Sequence, residues 1–335
     1  MRLFFLFFII ASLFACNNPA TPDVSKIKIK LNVERFEEDF FNIDTTKAEA
    51  EIQNLQKKYP TFANIFLFKI LNADPAWNAD TANQYVLQFK KVYHPLFDSS
   101  EKIFKNFSEY SEQVAKSLKY VKYYFPEYHT PEKIITYIGP LDGYGDILGQ
   151  NEIIVGLHHH LGSNFSLYKS SFLNETYPEY ISRRFTPEFI PINAMKNIIS
   201  DMYPQSYEDQ SLIVQMVEEG KKLYLLQKFV PYAKEYNLIG YTESQLKESY
   251  GHEKVIWSLF TQNNLLQVKD INIVKNYIGE SPRTIELGEA APGNIGSFAG
   301  WQIVKKYVSE NKNISPAELM QTSAEKIYNA ARYKP

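Results

Sequence analysis

The sequence predicts an α+β fold, predominantly α-helical with a small β-sheet, and three observations carry that prediction. Long stretches repeat apolar residues at helical spacing: Tyr110, Val114, Leu118 and Val121, and later Phe189, Ile192, Met195, Ile199 and Met202. Two short β-branched runs, 133–138 and 152–157, break that period and read as strands. Between them lies a turn-rich loop, 139–146. Six of the 14 glycines fall between residues 139 and 162, which marks a place where backbone passes close to something.

Taken in order, Thr45 or Thr46 caps a helix running to Lys58, with Ile52 and Leu55 on one face. Residues 60–71 read as a second helix, 81–92 as a third and 100–107 as a fourth. Residues 108–124 make the clearest helix of this set, and Pro126 ends it. The stripe from Phe189 ends at Pro204. A broader one runs from Leu212 to Phe229 and contains Glu218-Glu219-Gly220. Glycine inside a helix costs about 1 kcal/mol relative to alanine, so Gly220 is expected to permit a close helix contact. Two shorter helices follow at 242–249 and 252–260. Gly293, Gly296 and Gly300 lead into Trp301, and Gly296 and Gly300, one turn apart, offer a smooth face to another backbone. Ser315-Pro316-Ala317-Glu318 opens a terminal helix with a serine cap, proline at the first position and glutamate three on.

The chain begins with one positive residue, Arg2, an apolar run over 3–11, then Leu13-Phe14-Ala15 before Cys16. That pattern is a secretory signal, too short to cross a bilayer as a helix, which needs about 20 apolar residues. Leu13-Phe14-Ala15-Cys16 resembles a bacterial lipobox, which implies cleavage before Cys16 and lipidation of that residue. The expected organisation is a signal peptide over 1–15, lipidated Cys16 and a tether over 16–32, and a globular domain over 33–335. Within the domain, 33–130 is helical, and 131–335 holds the small sheet and the C-terminal helices. No later apolar run is long enough to cross a membrane, so the acylated cysteine alone is expected to hold the bilayer. Cys16 is the only cysteine, which rules out an internal disulfide and leaves stability to burial. The 24 Tyr and 23 Phe suit a well-filled core. Charge is balanced, 36 basic against 38 acidic residues, with only six arginines and no long basic run. Nucleic acid, which wants clustered Arg and Lys, is therefore not an expected partner.

Few residues suggest chemistry. His158 and His160 would share one strand face as a metal pair. Against that, no Cys, Asp or Glu lies beside them at zinc-site spacing. The reading preferred is a solvated strand end, or one histidine in the core and two outside. His252-Glu253-Lys254-Val255-Ile256 is a partial HExxH lacking the second histidine. No nucleophile elbow, P-loop or dinucleotide fingerprint occurs. Glu37-Glu38 and Glu218-Glu219 read as solvated helix faces rather than acid/base pairs. No catalytic residue and no cofactor are assigned.

The signal, the 157–162 stretch and several later blocks together resemble the gliding-motility lipoprotein GldB family of Bacteroidetes. The blocks are Glu219-Gly220-Lys221-Lys222-Leu223-Tyr224; Ile239-Gly240-Tyr241-Thr242; Glu253 with Ile256-Trp257; and Pro292-Gly293-Asn294-Ile295-Gly296 with Gly300-Trp301-Gln302-Ile303-Val304. Tyr333-Lys334-Pro335 closes the chain. The resemblance implies support of the surface gliding machinery and partners among gliding-motility or type IX secretion proteins. Asn17-Asn18-Pro19 stands where a surface-exported lipoprotein would carry acidic residues, which implies a domain facing the periplasm. The same blocks are more distantly similar to predicted zinc-dependent proteases, in which HExxH is followed by a helix with Glu-Gly whose glutamate is the third ligand. Glu219-Gly220 fits. The best match to HExxH is Asn193-Ala194-Met195-Lys196-Asn197, with both histidines replaced by Asn and the base by Ala. What this resemblance implies is a degenerate zincin-like scaffold, a pseudoenzyme.

The leading expectation is therefore a non-catalytic accessory or scaffold lipoprotein of gliding motility. Gly220, Gly293, Gly296, Gly300 and Trp301 are its structural or interaction residues. One alternative is a divergent periplasmic zinc metallohydrolase using His158, His160 and Glu219. Another is an envelope glycan- or peptide-binding protein with exposed Tyr and Trp in a cleft.

Overall fold

The computed structural model describes residues 21–335; the signal peptide and Cys16 lie outside the described residues. The chain packs from Val24 onward: that side chain is buried, and Ile29 and Leu31 lie against the core. The segment expected as tether thus already belongs to the fold in its second half.

Strand β1 is Asn32–Arg35, and α1, Phe36–Phe41, follows it directly. Helix α2 is Ala48–Lys58. The expected threonine cap is instead Asp44, whose carboxylate accepts from Thr46 N at 2.9 Å and starts a 3-10 turn ahead of the helix. The next expected helix is α only over Phe62–Ile65 and continues as a π turn, Phe66–Ile70. Helix α3, Ala79–Phe104, replaces the two helices expected at 81–92 and 100–107. It runs through Pro95, which forfeits one backbone bond. Burial of Leu96, Phe97, Ser100 and Phe104, with Phe97 stacked on Phe41 at 4.8 Å, holds it as one element. Helix α4, Ser108–Tyr124, has the expected ends.

Strands β2 (Lys133–Tyr137), β3 (Ile147–Leu148) and β4 (Glu152–Gly156) then complete a four-stranded sheet in the order β1-β2-β4-β3. The first three in that order are parallel, Val33 opposite Ile134 and Ile134 opposite Ile153, and β3 is an antiparallel edge. The expected runs 133–138 and 152–157 are parallel neighbours covered on both faces. That is why they read as continuous apolar segments rather than alternating ones.

The second half is helical: α5 (Phe189–Met202), α6 (Leu212–Phe229), α7 (Glu243–Gly251), α8 (Glu253–Gln262), α9 (Ile295–Glu310), α10 (Pro316–Gln321) and α11 (Ala324–Ala331). The capping box at Ser315 is present, but the terminal helix is two helices, the second capped by Ser323.

The axis of this half is the contact of α6 with α9. Gly220 lies against the backbone of Gly300, and Gly300 lies against the backbone of Met216. A Cβ on Gly220 would stand 2.7 Å from Trp301 N. Gly296 packs on Tyr277 O in the same way, and Gly293 on Ser281. The smooth face read from the sequence is therefore filled by α6. Trp301 is fully buried, with the Lys305 ammonium 3.7 Å from its ring centroid. The five residues Gly220, Gly293, Gly296, Gly300 and Trp301 work inside the domain and none is exposed to meet a partner. Gly300→Ala is expected to force the two helices apart at a point where only backbone can yield. Its expected cost is about 1–3 kcal/mol, read by urea unfolding at unchanged m-value. Ala299→Gly, one position away, should cost only its helix propensity of about 1 kcal/mol, apart from any cavity its lost methyl leaves.

Candidate functional site

The glycine-rich loop 139–146 folds over the residues that follow β4. The chain does not continue as a strand past Gly156. Leu157–His159 form a 3-10 turn, so His158 and His160 do not share a strand face. All three histidines are buried, contrary to the expected solvated strand end. What the backbone passes close to is the imidazole rings. A Cβ on Gly145 would lie 2.7 Å from His159 Nδ1, and one on Gly156 would lie 2.8 Å from His158 Cε1.

Each ring is held. His158 Nδ1 accepts from Gly139 N at 3.1 Å, and its Nε2 donates to Tyr144 O at 2.9 Å. His159 Nε2 donates to Leu141 O at 2.8 Å, and the ring stacks on Phe185 at 4.3 Å. His160 faces acceptors at both nitrogens: Thr186 O lies 3.0 Å from Nδ1, and the Asp146 carboxylate 2.9 Å from Nε2. Both nitrogens must donate, so this network assigns His160 as an imidazolium.

Asp146 is the hub of the centre. Its Oδ1 accepts from Gly156 N at 3.0 Å, its Oδ2 from Asn193 Nδ2 at 2.8 Å, and its carbonyl from Asn197 Nδ2 at 3.1 Å. Asn193 and Asn197, one helical turn apart on α5, thus point the same way and spend their amides on one residue. Burial pushes the Asp146 carboxyl up, but the His160 charge and the hydrogen bonds from His160, Asn193 and Gly156 outweigh it and leave the group below its usual range. Burial pulls His160 down, and the Asp146 charge and hydrogen bond more than reverse that. Two opposite shifts describe one buried ion pair.

His158 and His159 respond in the opposite sense. Burial pushes His158 well down, with the neighbouring His159 adding to it, and brings His159 to about 4. Both are neutral in the folded state. An unfolded histidine takes up a proton near pH 6.5, so stability is lost as pH falls from about 6.5 toward 4. His159 alone should cost about 2 kcal/mol between pH 7 and pH 5. Chemical denaturation at the two pH values checks this, and His159→Gln should flatten the dependence by about that amount.

Glu219 is elsewhere. Its carboxylate is bound by Lys222 at 2.9 Å and by the Tyr207 hydroxyl, and Glu218 pairs with the buried Lys221 at 2.8 Å. Among the described residues, His158, His160 and Glu219 do not form a ligand group. The one cluster of three ligating side chains among the described residues is Glu37, Glu38 and Glu101, and its centre is taken by the Arg35 guanidinium, 3.0 Å from Glu38 and 3.1 Å from Glu101. Glu37 is fully buried, not on a solvated face as its sequence suggests, and accepts from Thr136 Oγ1 at 2.6 Å.

Among the described residues lie open grooves of about 530 and 490 Å³. The first lies between residues 209–218 and 323–329, the second between 255–265 and 277–287. Each has a single tyrosine, Tyr328 and Tyr277, and no tryptophan, which does not give a glycan-binding reading its aromatic platform. Sequence reasoning missed Asp146 as the organiser. Its one signal was its place at the end of a loop whose glycines seat the histidines.

Compared with known proteins, residues 17–335 match the family described as gliding motility protein GldB. No curated protein and no solved structure is similar enough to count as a match. No helix among the described residues is long and apolar enough to cross a membrane.

Proposed function

The chain belongs to the gliding motility protein GldB family, and on that premise we propose that it is a lipid-anchored, non-catalytic accessory protein of the motility machinery. Its anchor is Cys16, its domain faces the periplasm, and its work is to hold other gliding-motility or type IX secretion proteins at the envelope. Three observations support this. The family match begins at residue 17, directly after the lipobox-like Leu13-Phe14-Ala15-Cys16. Arg2 and the apolar run before it form an export signal. The observation that carries the non-catalytic part is the state of α5. The two positions at the spacing of a zinc peptidase's histidines are Asn193 and Asn197, both bound to Asp146, and the position of the base is Ala194. Amide oxygens are poor zinc ligands and alanine cannot activate water.

The test is the metal content of the purified protein after incubation with zinc, together with complementation of gliding in cells lacking it. The expected result is no stoichiometric zinc, and full gliding with Glu219→Gln, a change that would remove a ligand of the metallohydrolase alternative. One zinc per chain, with zinc and gliding both lost in Glu219→Gln in a protein that remains folded, would replace the scaffold with a metallohydrolase.

A further inference from the structure

The sheet has two edges. One is β3, only two residues long. The other is β1, whose strand neighbour among the described residues is β2 alone. Neither turn nor bend interrupts the chain from 27 to 35, so β1 is the paired end of a longer extended segment. Burial alternates along it as an extended chain requires: Lys28, Lys30 and Asn32 are exposed, and Ile27, Ile29 and Leu31 are half-buried. Ile29 and Leu31 pack on the core and hold the segment in place. Asn32 N donates to Glu132 O at 2.9 Å, on the side of β2. With a period of two, the N–H and C=O groups of Ile29, Leu31 and Val33 point the other way, off the edge of the sheet. Among the described residues, no backbone group of 28–31 has a hydrogen-bond partner. Val33 is left 37% exposed where a neighbouring strand would cover it.

An unpaired edge is a template for another strand, and lysines on an edge are an ordinary means of refusing one. They refuse by charge. Lys28 and Lys30 stand on one face of the segment, with exposed Lys26 at the turn before them. A second copy paired along this segment would set lysine against lysine, which repels. A strand with carboxylates at those positions is attracted instead, so the same residues select a partner by excluding others. Three carboxylates of the chain itself stand along this stretch. Glu34 is held by Lys133 at 3.0 Å, Asp23 accepts from Ser25 N at 2.9 Å, and Glu132 is exposed beside Asn32. Lys28 and Lys30 are in no ion pair.

We propose that the segment 27–35 receives an added strand from a partner protein, an extended stretch that alternates acidic with apolar side chains. Its backbone pairs with Ile29, Leu31 and Val33, its carboxylates lie opposite Lys28 and Lys30, and its apolar side chains cover Val33. Main-chain bonds supply the attachment, and the alternation supplies the selectivity. The proposal rests on the reading of the chain as a holder of partner proteins. Its test reads neither zinc nor gliding, so the two fail separately.

The experiment uses the purified full chain and three synthetic peptides: one alternating Glu and Val, one alternating Lys and Val, and the first again with alternate backbone nitrogens methylated. Binding is read by fluorescence anisotropy of the labelled peptides, and the place of binding by amide hydrogen exchange. The expected result is saturable binding of the acidic peptide that slows exchange at 29, 31 and 33 by about ten-fold or more and leaves α11 unchanged. The Lys peptide and the methylated peptide should not bind. K28E/K30E, two exposed changes whose folding is checked by an unchanged melting curve, should reverse the preference toward the Lys peptide. The proposal is overturned by an acidic peptide that gives no protection at these amides, by equal protection with the methylated peptide, or by a preference that K28E/K30E leaves as it was. Protection that grows with protein concentration in the absence of peptide would make a second copy the occupant, and overturns it too.

Discussion

Asp146→Ala is expected to destabilise the domain by about 3–5 kcal/mol, because it leaves the His160 charge buried without its counter-ion. Asn193 and Gly156 N would lose their acceptor in the same step. The loss should also depend on pH. In the intact pair His160 is raised above its unfolded value, so its contribution is fully present below about pH 6.5 and disappears as pH rises through the folded value. Without Asp146, burial is opposed only by the Thr186 carbonyl hydrogen bond and is expected to depress the ring. The penalty should therefore be larger at pH 5.5 than at pH 8.5. A double-mutant cycle with His160→Ala, read by urea unfolding at both values, measures the coupling. A coupling near zero at pH 5.5 would mean that the ion pair contributes nothing.

Arg35→Met should cost a similar amount, about 3–5 kcal/mol, at the other end of the sheet. Arg35 is 14% exposed and holds Glu37, Glu38, Glu101 and the Phe104 carbonyl, 2.8 Å away, tying β1 to α1 and α3. Burial already raises Glu37 against the opposing effects of Arg35 and Thr136. A raised carboxyl is least costly below its unfolded value and most costly above its folded one. Removing the arginine should therefore hurt more at pH 8 than at pH 5. Glu37→Gln added to Arg35→Met should restore much of the loss, since a neutral amide needs no counter-ion. Failure of that rescue would show that the packing of the Arg35 stem, rather than its charge, is what matters.

Much of the frame was legible because it follows from local periodicity. The ends of α4, α5 and α6, the two apolar strands and the Ser315 capping box all follow from residue spacing over one or two turns. The break expected between the helices at 81–92 and 100–107 was not found, since Phe97 and its neighbours bury enough surface to carry one helix through. The histidines were misplaced for a related reason. Alternation assumes that a strand continues, and only the folded loop shows that the chain turns at Gly156.

What the sequence determined by itself is the fold class, the family and the glycine face of α9. These are properties of neighbours along the chain. Only the tertiary structure decided that Glu219 belongs with Lys222 and Tyr207 and not with the histidines, and that Asp146, His160 and Asn193 form one closed centre. Asp146 and Asn193 lie 47 residues apart. A charge far along the chain has no periodic signature. Its partner is chosen by the desolvation penalty that burial imposes, and that penalty exists only once the chain has folded around it.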